Sequence, residues 1–504
     1  MSELRRQANE RGLRAGCKGI VPLTARLEQW QIDLFERPKD ISTWLDLHGS
    51  PLNIIDPAPM ARNSAELEDV ARRFDLDFRI YFARKANKAL ALVDAAHDLG
   101  LGVDVASEQE LRQVLGREVP ADDLVVTAAI KPTRLLELCL ESGATVVADN
   151  SDELDLLVRL AQRSKNATPV ALRLAPRVTQ QWLETRFGLP FENAVAAGDR
   201  YRDGLGDSVP GIAGVHFHLD GYLAGDRVAA IAEALELVDA LRERGHRPGF
   251  IDIGGGIPMS YLESESEWRS FWVEHKNSLL GEREALTFDR HGLGLTSHGG
   301  EIVGRPSLYP YFQRPVRAEW LAQVLSASLK VGGVPTTVAD AIRSRRLQLR
   351  CEPGRSLLDG CGVTAARIEF RKQRLDGTWL IGLEMNRTQC RSTSDDFLVD
   401  PLLLRPHERV PAENTGQIEG YLVGAYCIER ELITWRRLSF PAGVEVGDVV
   451  VFPNTAGYLM HILESSAHQI PLALNLVARP EGTATLDPID APGLSSTASR
   501  REQP

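Results

Sequence analysis

Lys85 stands at the end of the apolar stretch Ile80-Tyr81-Phe82-Ala83, followed by Ala86-Asn87. An amine carried by an apolar strand loses solvation. That lowers its pKa and suits it to nucleophilic attack on a carbonyl. Other reactive side chains close similar apolar runs: Asp104, Arg173, His218 and Glu352, with Gly254-Gly255-Gly256 behind Phe250-Ile251-Asp252-Ile253. Three successive glycines expose backbone N–H groups to which a phosphate comes close. In Glu352-Pro353-Gly354-Arg355 the arginine fork suits a phosphate and the carboxylate a protonated ring nitrogen. His216 and His218 alternate on one run, so both project to one face. No third ligand lies near them along the chain, so no metal is expected.

The elements that must position these groups follow from periodicity. Eight short apolar runs, at 79–85, 102–106, 124–127, 145–149, 170–174, 212–218, 250–253 and 348–352, alternate with helical segments. The expected fold is α/β: an eight-stranded (β/α)8 barrel of the TIM type with a C-terminal β domain. Such barrels put their chemistry at strand C-terminal ends. A doubly wound open sheet is the alternative, but no Gly-x-Gly-x-x-Gly follows the first strand. Asn63-Ser64 reads as the cap of a helix running to Phe74.

The expected divisions are an N-terminal arm and a strand joining the β domain (1–56), the barrel (57–360), the β domain (361–478) and a disordered tail (479–504). Within the barrel, a long insertion at about 259–345 acts as either a lid or a subunit contact. In the β domain, runs at 363–371, 378–383, 420–426 and 449–452 read as strands, with a hairpin at Asp376-Gly377.

Composition narrows the function. The 504 residues carry a net charge of −11, which argues against nucleic acid or an anionic membrane as the main partner. No apolar run approaches the roughly 20 residues needed to span a bilayer. Six scattered cysteines without a Cys-x-x-Cys pair indicate a reduced, cytoplasmic protein.

Taken in order, Lys85 in Ala83-Arg84-Lys85-Ala86-Asn87, Val103-Asp104-Val105-Ala106-Ser107, Arg186-Phe187-Gly188, His216-Phe217-His218, Gly254-Gly255-Gly256, Glu352-Pro353-Gly354-Arg355, Cys427 and Gly457-Tyr458 resemble one family. It is that of the pyridoxal-phosphate decarboxylases with the alanine-racemase-like fold, which act on diaminopimelate, ornithine or arginine. The resemblance implies that Lys85 carries pyridoxal 5'-phosphate and that His218 stacks on its ring. Gly254, Gly255, Gly256, Arg355 and Tyr458 would hold the phosphate, Glu352 would pair with the ring nitrogen, and Asp104 and Arg173 would flank the cofactor. Cys427, from the second subunit of a homodimer with shared active sites, would protonate the carbanion.

The sequence departs from the family around the substrate. Ile428 follows Cys427 where the family keeps an acid, and on a strand the nearby Glu429 and Glu431 would not replace it. Asp220-Gly221 replaces Gly-Ser after the stacking histidine. Arg387 suits an anionic far end of the substrate, and Arg305 or Tyr309 of the insertion are further candidates. The expected function is α-decarboxylation of a carboxylate-bearing amino acid, diaminopimelate among them. A racemase or other pyridoxal-phosphate enzyme on this scaffold, or a silent decarboxylase-like binding protein, are the alternatives.

Overall fold

The structure is a computed structural model that describes residues 10–177, 185–206, 211–392, 397–407, 416–479 and 481–491. Eight parallel strands close into a barrel: β1 (Phe78–Ala83), β2 (Gly102–Val105), β3 (Leu124–Val126), β4 (Thr145–Ala148), β5 (Val170–Leu174), β6 (Gly214–Phe217), β7 (Phe250–Asp252) and β8 (Gln348–Cys351). β8 closes the ring by pairing with both β7 and β1, Leu349 lying opposite Ile251 and Phe78. The strands are buried on both faces, which is why they read as nearly continuous apolar runs.

One end of the barrel is plugged by Tyr81, Val125, Val147, Ala171 and Phe250. Two glycines make room for the plug. A Cβ on Gly102 would stand 2.4 Å from the Tyr81 ring, and one on Gly214 the same distance from Phe250. Arg350 lies over Phe250, its guanidinium carbon 3.6 Å from the ring centre. This packing leaves the other end, where the strands finish, for polar groups.

The helix after Leu52–Ile55 runs over Pro59–Arg73, so Asn63 and Ser64 lie inside it rather than capping it. Pro59 supplies the start, because its missing N–H costs nothing in a first turn. Asn63 instead donates to the carbonyls of Leu357 and Asp359.

The β domain is built on a long strand, β9 (Gly362–Gln373). It pairs antiparallel with Leu52–Ile55, with β10 (Trp379–Leu383) through the Asp376-Gly377 turn, and with Val449–Pro453. Ile418–Val423 lies parallel to β10.

Residues 259–345 pack against both the barrel and the β domain. Their helix Arg317–Ser326 packs against Pro59–Arg73 as part of the barrel's outer layer. Tyr261, Phe271, Leu293, Tyr309 and Tyr311 join one apolar cluster with Leu383, Leu422 and Phe452 of the β domain.

The expected tail also needs correcting. Ala484–Leu486 forms a strand antiparallel to Leu474–Ala478, and the buried Asp487 accepts hydrogen bonds from the N–H groups of Leu90 and Ala91. The local composition is that of a loose segment, and the contacts that order it are supplied from elsewhere in the chain. Residues 492–504 lie outside the described residues. Among the described residues no helix is long and apolar enough to cross a membrane.

Candidate active site

The polar end of the barrel gathers Lys85, Asp104, Thr127, Asp149, Arg173, His216, His218, Asp252, Gly254-Gly255-Gly256 and Glu352. Lys85 does not end a strand. β1 stops at Ala83, and Lys85 sits in the single 3-10 turn Arg84–Ala86 that follows. Its Nζ donates to Asp104 Oδ2 at 2.7 Å and approaches Thr127 Oγ1 at 3.5 Å. Thr127 in turn donates to the other oxygen of Asp104, which is fully buried. Burial works against the Lys85 charge, but Asp104 and Glu352 outweigh it and hold the ammonium above its ordinary range. The expected lowering is therefore reversed. Lys85 becomes nucleophilic only when its proton leaves this pair.

Arg173 on β5 is tied down on three sides. It donates to Asp149 Oδ1 at 2.7 Å, to the Thr127 carbonyl at 2.6 Å and to His216 Nδ1 at 3.2 Å. Gly188 of Arg186-Phe187-Gly188 has φ +83°, and a Cβ there would stand 2.8 Å from the Arg173 carbonyl. Phe187 meets His218 edge-on, centroids 5.7 Å apart. Burial, then Lys85 and His216, push the His218 pKa down to about 3, so a neutral, flat imidazole faces the site.

The three glycines follow β7. Gly254 and Gly256 have φ of +65° and +75°, and a Cβ on either would meet another group at 2.7 Å: the Phe217 carbonyl for Gly254, the Arg227 guanidinium for Gly256. A cup of about 180 Å³ opens beside them, lined by His218, Asp220, Gly221, Gly256, Arg355 and Tyr458 among others. Arg355 donates to Tyr261 Oη at 2.8 Å, and its guanidinium carbon lies 4.1 Å from the Tyr309 ring centre. Tyr458, at φ +71°, is pinned by its N–H to the Ala86 carbonyl. Glu352, just past β8, is buried, and its Oε1 lies 3.3 Å from His216 Nε2.

This arrangement fits pyridoxal phosphate. An amine, a glycine-walled cup holding an arginine, and a buried carboxylate all lie at one end of one barrel. His216 and Asp252 were not assigned roles from the sequence, although an acid within the buried run Phe-Ile-Asp-Ile is a signal for one. The groups beside His216 in space are remote from it along the chain. His216, Asp252 and Glu352 each bring a donor atom within 4.8 Å of the others.

Three expected substrate residues are placed differently. Tyr309 is buried under Arg355, its hydroxyl bonded to the Met259 carbonyl and to Gln313. Arg305 is exposed, just beyond the hairpin Leu295–His298/Glu301–Gly304. Arg387 is not a free cation: its side chain lies 3.4 Å from the buried Glu431 carboxylate, which also accepts the Arg387 N–H at 2.7 Å. Cys427 is exposed, and the strand expected over 420–426 ends at Val423. Ile428 and Glu429 therefore lie in a turn, where strand alternation does not apply.

The comparisons with known proteins agree with this geometry. Residues 61–291 match the family model described as "Pyridoxal-dependent decarboxylase, pyridoxal binding domain". An uncharacterised protein of Sinorhizobium fredii is 32% identical over 433 residues, covering 85% of this chain and 88% of its own. The chain belongs to the pyridoxal-dependent decarboxylases. It takes pyridoxal phosphate as cofactor.

The diaminopimelate decarboxylase of Halalkalibacterium halodurans is 25% identical over 233 residues, which span 44% of this chain and 53% of that relative. Sequence similarity to that relative thus covers about half its length. Among solved structures, the diaminopimelate decarboxylase of M. jannaschii superposes with a TM-score of 0.67 at 17% identity, covering 92% of this chain and 94% of that one. The lysine/ornithine decarboxylase of Vibrio vulnificus gives 0.62 at 18%, covering 90% and 99%. At such identities these likenesses establish the fold, barrel and β domain together.

Proposed function

We propose that this decarboxylase removes the α-carboxylate of an amino acid whose far end is not a simple ammonium, in a homodimer with shared sites. The observation that carries the reaction is the buried carboxylate of Glu352 at the same barrel end as Lys85, whose ammonium it helps to hold charged. Pyridoxal phosphate, when bound, supplies a sink for the electron pair left on the α-carbon as carbon dioxide departs. A carboxylate against the ring nitrogen favours its protonated form, which strengthens that sink.

The chain's own residues do the rest. Lys85 would hold the cofactor through its amine once its proton is released from the Asp104 pair. The glycines, Arg355 and Tyr458 would hold the phosphate, Asp104 and Arg173 fix the polar wall, and His218 would offer its flat face to the ring. Cys427 is exposed on its own chain, as a thiol must be if it serves the site of a second copy. There it protonates the α-carbon after the C–C bond breaks.

The substrate half rests on Ile428, an apolar and 46% exposed neighbour of that thiol, where the resemblance leads one to expect an acid. Arg387 adds little, because Glu431 already balances it. A diaminopimelate-like end, which carries both ammonium and carboxylate, satisfies this reading. The test is carbon dioxide release from purified holoenzyme across lysine, ornithine, arginine, diaminopimelate and acidic amino acids. Efficient turnover of lysine or ornithine would sink the substrate claim. Racemisation without carbon dioxide would sink the reaction, and binding without turnover would favour the silent protein.

A further inference from the structure

At the polar end of the barrel, three buried groups face one another: His216 on β6, Asp252 on β7 and Glu352 after β8. Each has one buried polar atom that bonds no group outside the three, namely His216 Nε2, Asp252 Oδ2 and Glu352 Oε1. These atoms belong together, and what surrounds them fixes where the protons must be.

Consider His216 first. Arg173 donates to its Nδ1 at 3.2 Å, and an arginine can only donate, so Nδ1 must be the bare nitrogen. The proton of the neutral ring is then on Nε2, which lies 3.3 Å from Glu352 Oε1. Burial and the Arg173 charge both oppose a second proton on this ring.

Asp252 has a similar asymmetry. Its Oδ1 accepts the Gly254 N–H at 2.9 Å, while Oδ2 receives no donor among the described residues and lies next to Glu352. Two carboxylates this close in a buried site do not both ionise. Burial raises both, but Lys85 and Arg173 pull Glu352 back down, whereas Glu352 pushes Asp252 further up. The other charged groups bearing on Asp252 are Arg350, which favours its ionised form, and Asp104, which opposes it.

We infer that Asp252 is a positioning residue that keeps a proton on Oδ2 and donates it to Glu352, while His216 donates to Glu352 from Nε2. Glu352 is thereby fixed as one carboxylate with one net charge, held from two sides and turned toward the ring nitrogen. The inference rests on the cofactor reading only for what Glu352 faces. The proton's place is a property of the chain alone.

Asp252→Asn is the decisive substitution, because its amide keeps the oxygen toward Gly254 and offers an N–H toward Glu352, as a protonated aspartic acid does. In the apoprotein, the infrared carbonyl stretch of a protonated carboxylic acid should be present in the wild type and absent from Asp252→Asn. In the holoenzyme loaded with ring-¹⁵N pyridoxal phosphate, the protonated-nitrogen signal should survive Asp252→Asn, with cofactor affinity within about threefold of wild type. His216→Phe removes a donor to a charged acceptor, so it should weaken the cofactor by about 10- to 100-fold and diminish that signal.

An unchanged infrared band in Asp252→Asn, loss of ring protonation in that variant, or a divalent metal retained one per chain on these three groups would overturn the inference. If Asp252→Asn does not fold, neutron diffraction on the wild-type protein locates the proton directly, and a bare Oδ2 overturns it. Failure of the cofactor to bind would count against the cofactor reading, and the infrared band would still decide the proton's place.

Discussion

The barrel end and the β-domain turn around Cys427 differ in how completely the chain itself holds them. At the barrel end, Lys85 is paired to Asp104, Arg173 is bonded on three sides and Tyr458 is pinned to the Lys85 turn. At the β-domain turn, Cys427 and Ile428 are exposed. The residues that match the family's cofactor set are the pinned ones. The departures, Ile428 and Asp220-Gly221, lie at the turn and at the rim of the cup. A cofactor fixes its surroundings, whereas the parts that meet the substrate and, on our proposal, a second subunit are free to diverge.

The sharpest way to break that contrast is to inactivate each region separately. Lys85→Ala should lower activity by about 10⁴-fold or more, because it removes the attaching nucleophile. Cys427→Ala should lower it by about 10²–10⁴-fold, the usual worth of a positioned proton donor. If the sites are shared, mixing the two inactive proteins with random subunit exchange should restore about a quarter of the sites, since half the dimers are mixed and each has one intact site. Verified exchange without recovery would place both residues in one chain's site. Borohydride reduction and peptide mapping provide a separate check, because the label should fall on Lys85.

A smaller effect sharpens the substrate side. Ile428→Glu places a carboxylate beside Cys427, and a charge-assisted hydrogen bond to a substrate ammonium is worth about 1.5–3 kcal/mol. The kcat/KM for lysine or ornithine, relative to diaminopimelate, should rise by roughly 10- to 150-fold. No change would mean that this turn does not meet the far end of the substrate.

How much of this was legible in the sequence follows the same division. The barrel strands were readable because burial on both faces makes them continuous apolar runs, and the reactive groups follow directly at their ends. The direction of the Lys85 shift was not readable, because it depends on Asp104, which β2 brings alongside β1. The triad of His216, Asp252 and Glu352 was missed for the same reason, being assembled across three strands. Arg387 misled because its partner Glu431 lies 44 residues away. The strand rule for Ile428 failed because the chain turns after Val423, a boundary that alternation does not mark.

The seam between the two regions should show in the pH dependence of stability. His461 accepts the Lys88 N–H near the Lys85 turn and bonds Asn475 of the β domain at 2.9 Å. Burial, then Lys88, push its pKa from 6.5 to about 3. A histidine with a lowered folded pKa binds its proton in the unfolded chain first, so its contribution is present above pH 6.5 and falls away from there toward pH 3. His461→Gln should therefore flatten the acid side of the apoprotein's stability curve by about 1.4 kcal/mol per pH unit within that window. Urea unfolding at several pH values measures this, and an unaltered slope would mean that His461 is protonated in the folded protein.

The smallest effect belongs to the segment read as a disordered tail. Helix Leu90–Asp98 starts five residues after Lys85, and its preceding residue, Ala89, has no side chain to cap it. Asp487 takes that place from the far end of the chain, accepting from the Leu90 and Ala91 N–H groups at 3.0 and 2.9 Å. Its negative charge also lies at the positive end of the helix. Asp487→Ala should cost about 1 kcal/mol in unfolding free energy, as the loss of an N-cap does, and Asp487→Asn should recover all but the charge component, about 0.3–1 kcal/mol. Because the frayed turn adjoins the one that carries Lys85, the alanine variant should also release cofactor faster, and the asparagine variant should not. Equal unfolding midpoints and equal cofactor release in all three proteins would show that the helix beside Lys85 holds its first turn without help from residues 484–490.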